Sequence, residues 1–114
     1  MAIHVKRIYE PASKGDGYRI LVDRLWPRGI KKEDAEIDQW MKEIAPSTDL
    51  RKWFHEGKGT WEEFRKKYLA ELKESGAVDE LRANARKHKA LTLLYASKDE
   101  EHNHALVLKD LLAH

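Results

Sequence analysis

The sequence predicts an α/β fold: a small, largely parallel sheet of three or four strands, flanked by about five helices, in a single domain over residues 1–114. Two predicted strands, at residues 18–22 and 90–95, are apolar enough to lie at the centre of a sheet, and the first contains the continuous run Ile20-Leu21-Val22, which is typical of strands buried on both faces of a parallel sheet. Between these strands, apolar residues recur three and four positions apart, the spacing of amphipathic helices. A chain of 114 residues with 41% hydrophobic residues has room for one core.

The first part of the chain contains two predicted strands. Residues 3–9 are rich in β-branched and aromatic residues and predict the first strand, and residues 18–22 predict the second. The segment 11–17 between them combines Pro, Ser, Gly and Asp and predicts a loop. This link is shorter than the dozen or so residues that a parallel crossover usually needs, so its length favours a hairpin. The apolar character of the second strand favours a parallel sheet, and the sequence leaves both arrangements open.

Four helices are predicted between the second and third strands. The first is indicated by an apolar stripe that must end before Pro46: Ile37, Trp40, Met41 and Ile44. The others begin or end at capping residues: the second at Ser47 or Thr48, the third between a capping box at Thr60 and Glu63 and a stop at Gly76, and the fourth, which is short, at residues 78–85.

The third strand, residues 90–95, leads into the last predicted helix. The residues Ser97-Lys98-Asp99-Glu100 have the pattern of a second capping box, so we expect the helix to begin there. In a parallel sheet, this junction and the end of the second strand open on the same edge. That edge is where α/β proteins place their binding sites.

Charge is distributed unevenly along the chain. The net charge at pH 7 is only +2, but residues 1–32 contain eight Lys and Arg against three Asp and Glu. This basic segment is either a solvated surface or an anion-binding face. The second interpretation includes nucleic acid as an alternative partner, because phosphates attract such segments.

Several classes of protein are excluded or disfavoured. The chain has no cysteine, so it has no disulfide, no thiolate nucleophile and no cysteine metal site. It lacks the glycine-rich phosphate loops of dinucleotide and nucleoside triphosphate enzymes, and the Gly-x-Ser-x-Gly elbow of serine hydrolases. No segment is apolar enough for a signal peptide or a membrane span, so we expect a cytoplasmic location and no membrane partner.

The segment Asp23-Arg24-Leu25-Trp26-Pro27-Arg28-Gly29, which follows the second strand, is the first candidate site. Arg24 and Arg28 have the side chains best suited to hold an oxyanion through paired hydrogen bonds. Asp23 could orient an arginine or accept a proton, and Trp26 supplies a flat apolar wall. The alternative is structural: an Asp–Arg pair that holds the loop to the sheet, with Trp26 in the core.

The segment 98–104, which follows the third strand, is the second candidate site. His102 is the general acid or base if the protein is an enzyme. His102 and His104 are two positions apart and point to different sides of a helix, so we predict no metal site. His104 also lies on the apolar stripe of the last helix, which makes a partly buried structural histidine the alternative. The ligand-binding candidates here are Lys98, Asp99, Asn103 and His104.

Six aromatic residues lie at helical spacing beside apolar neighbours, which predicts core packing rather than base stacking: Trp40, Trp53, Phe54, Trp61, Phe64 and Tyr68. His55 follows two of them and could reach a cleft. A lone histidine before a glycine turn is weak support for a site.

Five segments together resemble the YeaO-like branch of the domain-of-unknown-function 488 family: residues 5–11, 21–29 (Leu-Val-Asp-Arg-Leu-Trp-Pro-Arg-Gly), 45–47, 50–54 and 93–103. The resemblance implies a small bacterial or archaeal cytoplasmic α/β domain with a largely parallel sheet, and implies little about activity. Longer members have Cys-His-Arg near the last helix, where this chain has Asn103, His104 and Ala105. Any cysteine chemistry of those members is therefore absent here. A methyltransferase label attached to this branch has no glycine-rich cofactor loop to support it.

The leading hypothesis is a cleft that binds a small anionic, phosphate-bearing ligand. Arg24, Arg28 and Lys98 would clamp the anion. The catalytic roles, if the protein turns its ligand over, fall to Asp23 and His102. The alternatives are a nucleic-acid-binding module that uses the basic segment and a protein-interaction domain. The sequence leaves the reaction, the cofactor and the oligomeric state open.

Overall fold

A computed structural model of the chain describes residues 2–113. Its strands are β1 (Ala2–Arg7), β2 (Tyr18–Leu21), β3 (Gln39–Trp40) and β4 (Ala90–Tyr95). Its helices are α1 (Lys32–Ala35), α2 (Thr48–His55), α3 (Trp61–Ser75), α4 (Ala77–Lys87) and α5 (His104–Ala113). Short 3-10 turns occur at Lys14–Asp16 and Lys42–Ile44. No helix in the described range is long and apolar enough to cross a membrane.

The four strands form one parallel sheet in the order β1-β4-β2-β3. The predicted α/β class is therefore confirmed, and the hairpin that link length favoured is wrong. That argument assumed that consecutive strands are neighbours, whereas β4 lies between β1 and β2. The short link passes very close to the start of β4: a Cβ on Gly17 would lie 2.2 Å from the Ala90 carbonyl oxygen, and Gly17 has a φ of +66°. Only glycine permits this approach.

Both faces of the central strands are buried, as the continuous apolar runs predict. On the helix-covered face, side chains of β2 and β4 pack with α2, α3, α4 and α5; the strand residues there are Ile20, Leu91, Leu93 and Tyr95. On the loop-covered face, a smaller cluster forms around Ile8, Leu21, Ala35 and Leu94, and Trp26 and Trp40 pack against it. The alternation of residues along β2 and β4 separates the two clusters.

Local capping explains where α2 and α3 begin. The Ser47 hydroxyl accepts a hydrogen bond from the Leu50 N–H at 3.1 Å. At the start of α3, Thr60 accepts from the Glu63 N–H at 3.2 Å, and the Glu63 carboxylate accepts from the Thr60 N–H at 3.0 Å. The predicted cap and capping box are both confirmed.

The helix predicted from Ile37 to Ile44 is wrong. Gln39 and Trp40 instead extend the sheet as β3, where the Met41 N–H donates to the Leu21 carbonyl at 2.9 Å. The stripe arises because this segment wraps the sheet edge: Ile37 and Trp40 pack on the loop-covered face, and Met41 and Ile44 enter the larger core. Pairing with β2 outweighs the helical pattern.

The last helix begins at His104, not at the predicted capping box of residues 97–100. Asp99 Oδ1 accepts from the N–H groups of Glu101 and His102, at 3.0 and 2.9 Å, which makes a separate turn. Asn103 Oδ1 then accepts from the Leu106 N–H at 3.1 Å and caps α5. The segment 96–103 is therefore a loop, and it lies over the carboxyl end of β4.

Candidate functional site

A cavity of about 490 Å³ lies at the carboxyl ends of β2 and β4. The segment after β2 contributes Asp23 and Arg24, and the segment after β4 contributes residues 96–99 and 102–104. The third side is formed by Ala45, Pro46, Phe64 and three residues of α2: Arg51, Phe54 and His55. Parallel strands place both junctions at one edge of the sheet, which is why residues far apart in sequence meet here.

Asp23 joins the ends of the two central strands. Its Oδ2 accepts from the Ala96 N–H at 3.0 Å, and its backbone carbonyl accepts from Trp40 Nε1 at 2.7 Å. Its Oδ1 is buried 3.0 Å from His104 Nε2 but has no hydrogen bond of its own within residues 2–113. The Nε2 is also 3.0 Å from the Val22 carbonyl oxygen. Because both neighbours are acceptors, we assign a proton to Nε2, where it is donated to the Val22 carbonyl.

Arg24 is held at the cavity by the chain that precedes α2. Its Nε donates to the Pro46 carbonyl at 3.3 Å and its Nη2 to the Ala45 carbonyl at 3.1 Å. A guanidinium group has five N–H donors, so these two bonds leave the others free. The side chain is only partly buried, and it is positioned before any ligand arrives.

Asp99 and Asn103 hold the loop of residues 96–103 in place through hydrogen bonds to its own backbone. The hydrogen bond from the His102 N–H, together with that from Glu101, lowers the pKa of Asp99 below its ordinary value. Asn103 is buried; its Nδ2 donates to the Asp99 carbonyl at 2.9 Å while its Oδ1 caps α5. His102 lies on the cavity side of this loop and packs on Trp61, with ring centroids 5.2 Å apart.

Behind the cavity, Tyr68 is fully buried and donates its hydroxyl proton to the Ile44 carbonyl at 2.5 Å. Burial raises the pKa of Tyr68 well above its ordinary value, and the nearby carboxylates of Glu71 and Asp23 raise it further. Tyr68 therefore stays neutral and packs in the core behind the cavity.

Two cationic side chains at the cavity are exposed: Arg51 and Lys98. Among the residues that the structure describes, neither makes a side-chain hydrogen bond or ion pair with the protein. The sequence reasoning missed Arg51. The signal that could have found it is its spacing to His55, which is four residues further along α2 and therefore on the same side of the helix.

Two predicted ligand-binding residues, Trp26 and Arg28, do not line the cavity. Trp26 donates Nε1–H to the Ile30 carbonyl at 2.6 Å and meets the edge of Trp40 on the loop-covered face. Arg28 is exposed, and its carbonyl accepts from the Tyr9 hydroxyl at 2.9 Å. The chain crosses the edge of the sheet between Arg24 and Trp26, so the segment divides between the two faces.

The basic N-terminal segment is only partly available to a partner. Lys6 and Arg19 both pair with the buried carboxylate of Asp16. Arg7 donates Nε–H to the Ser97 carbonyl at 2.9 Å, and Arg24 is held as described above. The remaining four basic residues are exposed: Lys14, Arg28, Lys31 and Lys32.

The fold and this edge define a parallel α/β domain with a cavity bordered by cationic side chains. The chain belongs to the DUF488-N3i family, described as the inactive DUF488-N3 subclade, whose sequence profile matches residues 2–114. It is 54% identical over 112 residues to the uncharacterized protein YeaO of Escherichia coli K12, which covers 98% of this chain and 97% of that protein. The uncharacterized protein Rv3073c of Mycobacterium tuberculosis is 40% identical over 110 residues, which covers 96% and 92%. These matches confirm the YeaO-like resemblance. No solved structure gives a significant match.

Proposed function

We propose that this protein binds a small organic or inorganic oxyanion in the cavity at the carboxyl edge of its sheet, without turning it over. The observation that carries the proposal is the convergence of Arg24, Arg51 and Lys98 on one cavity. Arg24 is already held in place by backbone carbonyls, so little conformational entropy is lost when it meets an anion.

The electrostatic balance of the cavity supports an anionic ligand. Each of its two carboxylates accepts from backbone N–H groups: Asp23 from Ala96, and Asp99 from two residues of its own loop. Arg51 and Lys98 have no side-chain partner among the described residues, so cationic donors remain available to a ligand. Guanidinium groups hold carboxylates and phosphates through charge-assisted hydrogen bonds, which are stronger than neutral ones.

Binding without turnover is supported by two observations. The family is described as inactive. Asp23, one of the two predicted catalytic residues, accepts the Ala96 N–H at its Oδ2 and so connects the segments that follow β2 and β4. The other, His102, lies at the cavity and packs on Trp61, and the exposed Asp99 carboxylate is 3.7 Å from its Nδ1.

The proposal is tested by thermal unfolding of the protein with inorganic phosphate, pyrophosphate, phenyl phosphate and benzoate. A ligand at a hundred times its Kd stabilises the folded state by about 2.7 kcal/mol, which raises the Tm by roughly 10 °C or more for a domain of this size. We expect at least one of these anions to stabilise the wild type, and Arg51→Gln to weaken its binding about tenfold.

Arg28→Gln is the matched control, because Arg28 is equally exposed but lies outside the cavity. It should bind the same anion as tightly as the wild type. If none of the four anions stabilises the protein, or if Arg28→Gln weakens binding as much as Arg51→Gln, the cavity is not the anion site. A response to oligonucleotides alone, steeply reduced by salt, would support the nucleic-acid alternative instead.

A further inference from the structure

We infer that the ligand of this cavity is an amphiphilic oxyanion: a single carboxylate or phosphate group attached directly to a flat apolar body. The inference rests on the proposed function and specifies the class of ligand. The observation behind it is the apolar part of the cavity, for which a purely ionic ligand would have no use.

Most of the exposed wall of the cavity is apolar. The partly buried Phe54 supplies the aromatic surface of this wall. Behind it lies Phe64, which is 4% exposed, with ring centroids 4.7 Å apart and an angle of 32° between the rings. Ala96, also partly buried, extends the wall. A flat apolar group that covered these surfaces would remove them from water, and aromatic rings add favourable stacking.

The size of the cavity also favours a ligand larger than an inorganic ion. At about 490 Å³ it lies within the usual range for sites of small organic ligands. A phosphate ion fills only a small part of such a space, and it would leave the exposed part of Phe54 in contact with water. The cationic groups and the apolar wall are therefore expected to contact different parts of one molecule.

Helix α2 presents a cationic and an aromatic side chain next to each other. Arg51 and Phe54 both line the cavity and are three residues apart, so their Cβ atoms lie about 5–6 Å from each other on the same side of the helix. One small ligand can therefore contact both side chains when its anionic group is bonded directly to its apolar body.

The test is isothermal titration calorimetry of the wild type with phenyl phosphate, inorganic phosphate and benzyl alcohol at constant ionic strength. Phenyl phosphate should bind at least tenfold more tightly than inorganic phosphate, and benzyl alcohol should bind far more weakly than either. Arg51→Gln should reduce the affinity for both phenyl phosphate and inorganic phosphate. Phe54→Leu should reduce the preference for phenyl phosphate while the affinity for inorganic phosphate stays unchanged, and its unfolding midpoint shows whether it is folded.

The outcomes separate the inference from the proposed function. Equal affinities of the wild type for phenyl phosphate and inorganic phosphate would overturn the amphiphilic ligand and leave oxyanion binding standing. If benzyl alcohol binds as tightly as phenyl phosphate, the charge has no role, and both proposals are overturned. An unchanged preference in a folded Phe54→Leu variant would also overturn the inference, because the ring would then not contact the ligand.

Discussion

The two faces of the sheet are both buried, but by different chemistry. On the helix-covered face, apolar side chains of four helices pack against Ile20, Leu91 and Leu93. On the loop-covered face, two indoles and a short stretch of chain cover Leu21 and Leu94, without a long helix. Doubly buried strands therefore do not require long helices on both sides. Here a tryptophan of the loop after β2, a tryptophan of the edge strand β3 and one short helical turn form the second layer.

The loop-covered face also contains a buried ionic cluster. Asp16 is 5% exposed and pairs with Lys6 at 3.0 Å and with Arg19. Its backbone carbonyl accepts from the Thr92 hydroxyl at 2.7 Å. Burial by itself raises the pKa of Asp16, but the hydrogen bonds from Ser13, Lys6 and Arg19 outweigh it and hold the pKa well below its ordinary value. This face therefore combines buried charge pairing with its smaller apolar cluster, whereas the helix-covered face holds the larger apolar core.

Truncation of one leucine on each face tests how tightly the two layers pack. Leu93 and Leu94 are adjacent in β4, both fully buried, and point to opposite faces. We expect Leu93→Ala to destabilise the fold by about 4 kcal/mol and Leu94→Ala by about 3 kcal/mol, because a loop can collapse into a cavity more readily than packed helices can. Urea denaturation of both variants measures the difference. A larger loss from Leu94→Ala would mean that the loop-covered face is the more rigid one.

The second expected effect is the acid sensitivity of the loop-covered face. The folded pKa of Asp16 is depressed, so its stabilisation is complete above the unfolded pKa near 4 and is lost as the pH falls below that value. Asp16→Asn should cost about 2 kcal/mol at pH 7 and should make the free energy of unfolding less dependent on pH between 5 and 2. Denaturation curves at several pH values and constant ionic strength measure this. Parallel pH profiles of variant and wild type would contradict it.

The smallest expected effect concerns the indole nitrogen of Trp26. Trp26→Phe keeps most of the ring that packs against Trp40 but removes the hydrogen bond to the Ile30 carbonyl. We expect a loss of about 1 kcal/mol in the free energy of unfolding, the usual contribution of one hydrogen bond, and no change in the affinity for anions. A Trp26→Phe variant that kept its stability but lost affinity for the anion would show that Trp26 contacts the ligand, as the sequence predicted.

The sequence could predict those residues of the candidate site that follow directly after the two central strands. Asp23, Arg24, Lys98 and His102 follow the two apolar strands, and the carboxyl ends of neighbouring parallel strands meet at one edge. Arg51 could not be placed in the same way, because its position depends on how α2 packs above that edge. Trp26 and Arg28 were assigned to the site because they are close in sequence to Arg24, and closeness in sequence does not reveal where a loop crosses the sheet.

The sequence by itself determined the two central strands, the caps of α2 and α3, and the edge at which charged residues collect. These features depend on contacts between neighbours in the chain or on the period of the apolar pattern, so they can be read locally. Only the folded structure shows that residues 39–40 pair with β2 and that Trp26 packs against Trp40, away from Arg24. Each of these depends on the free energy of contacts between distant segments, which no local pattern contains.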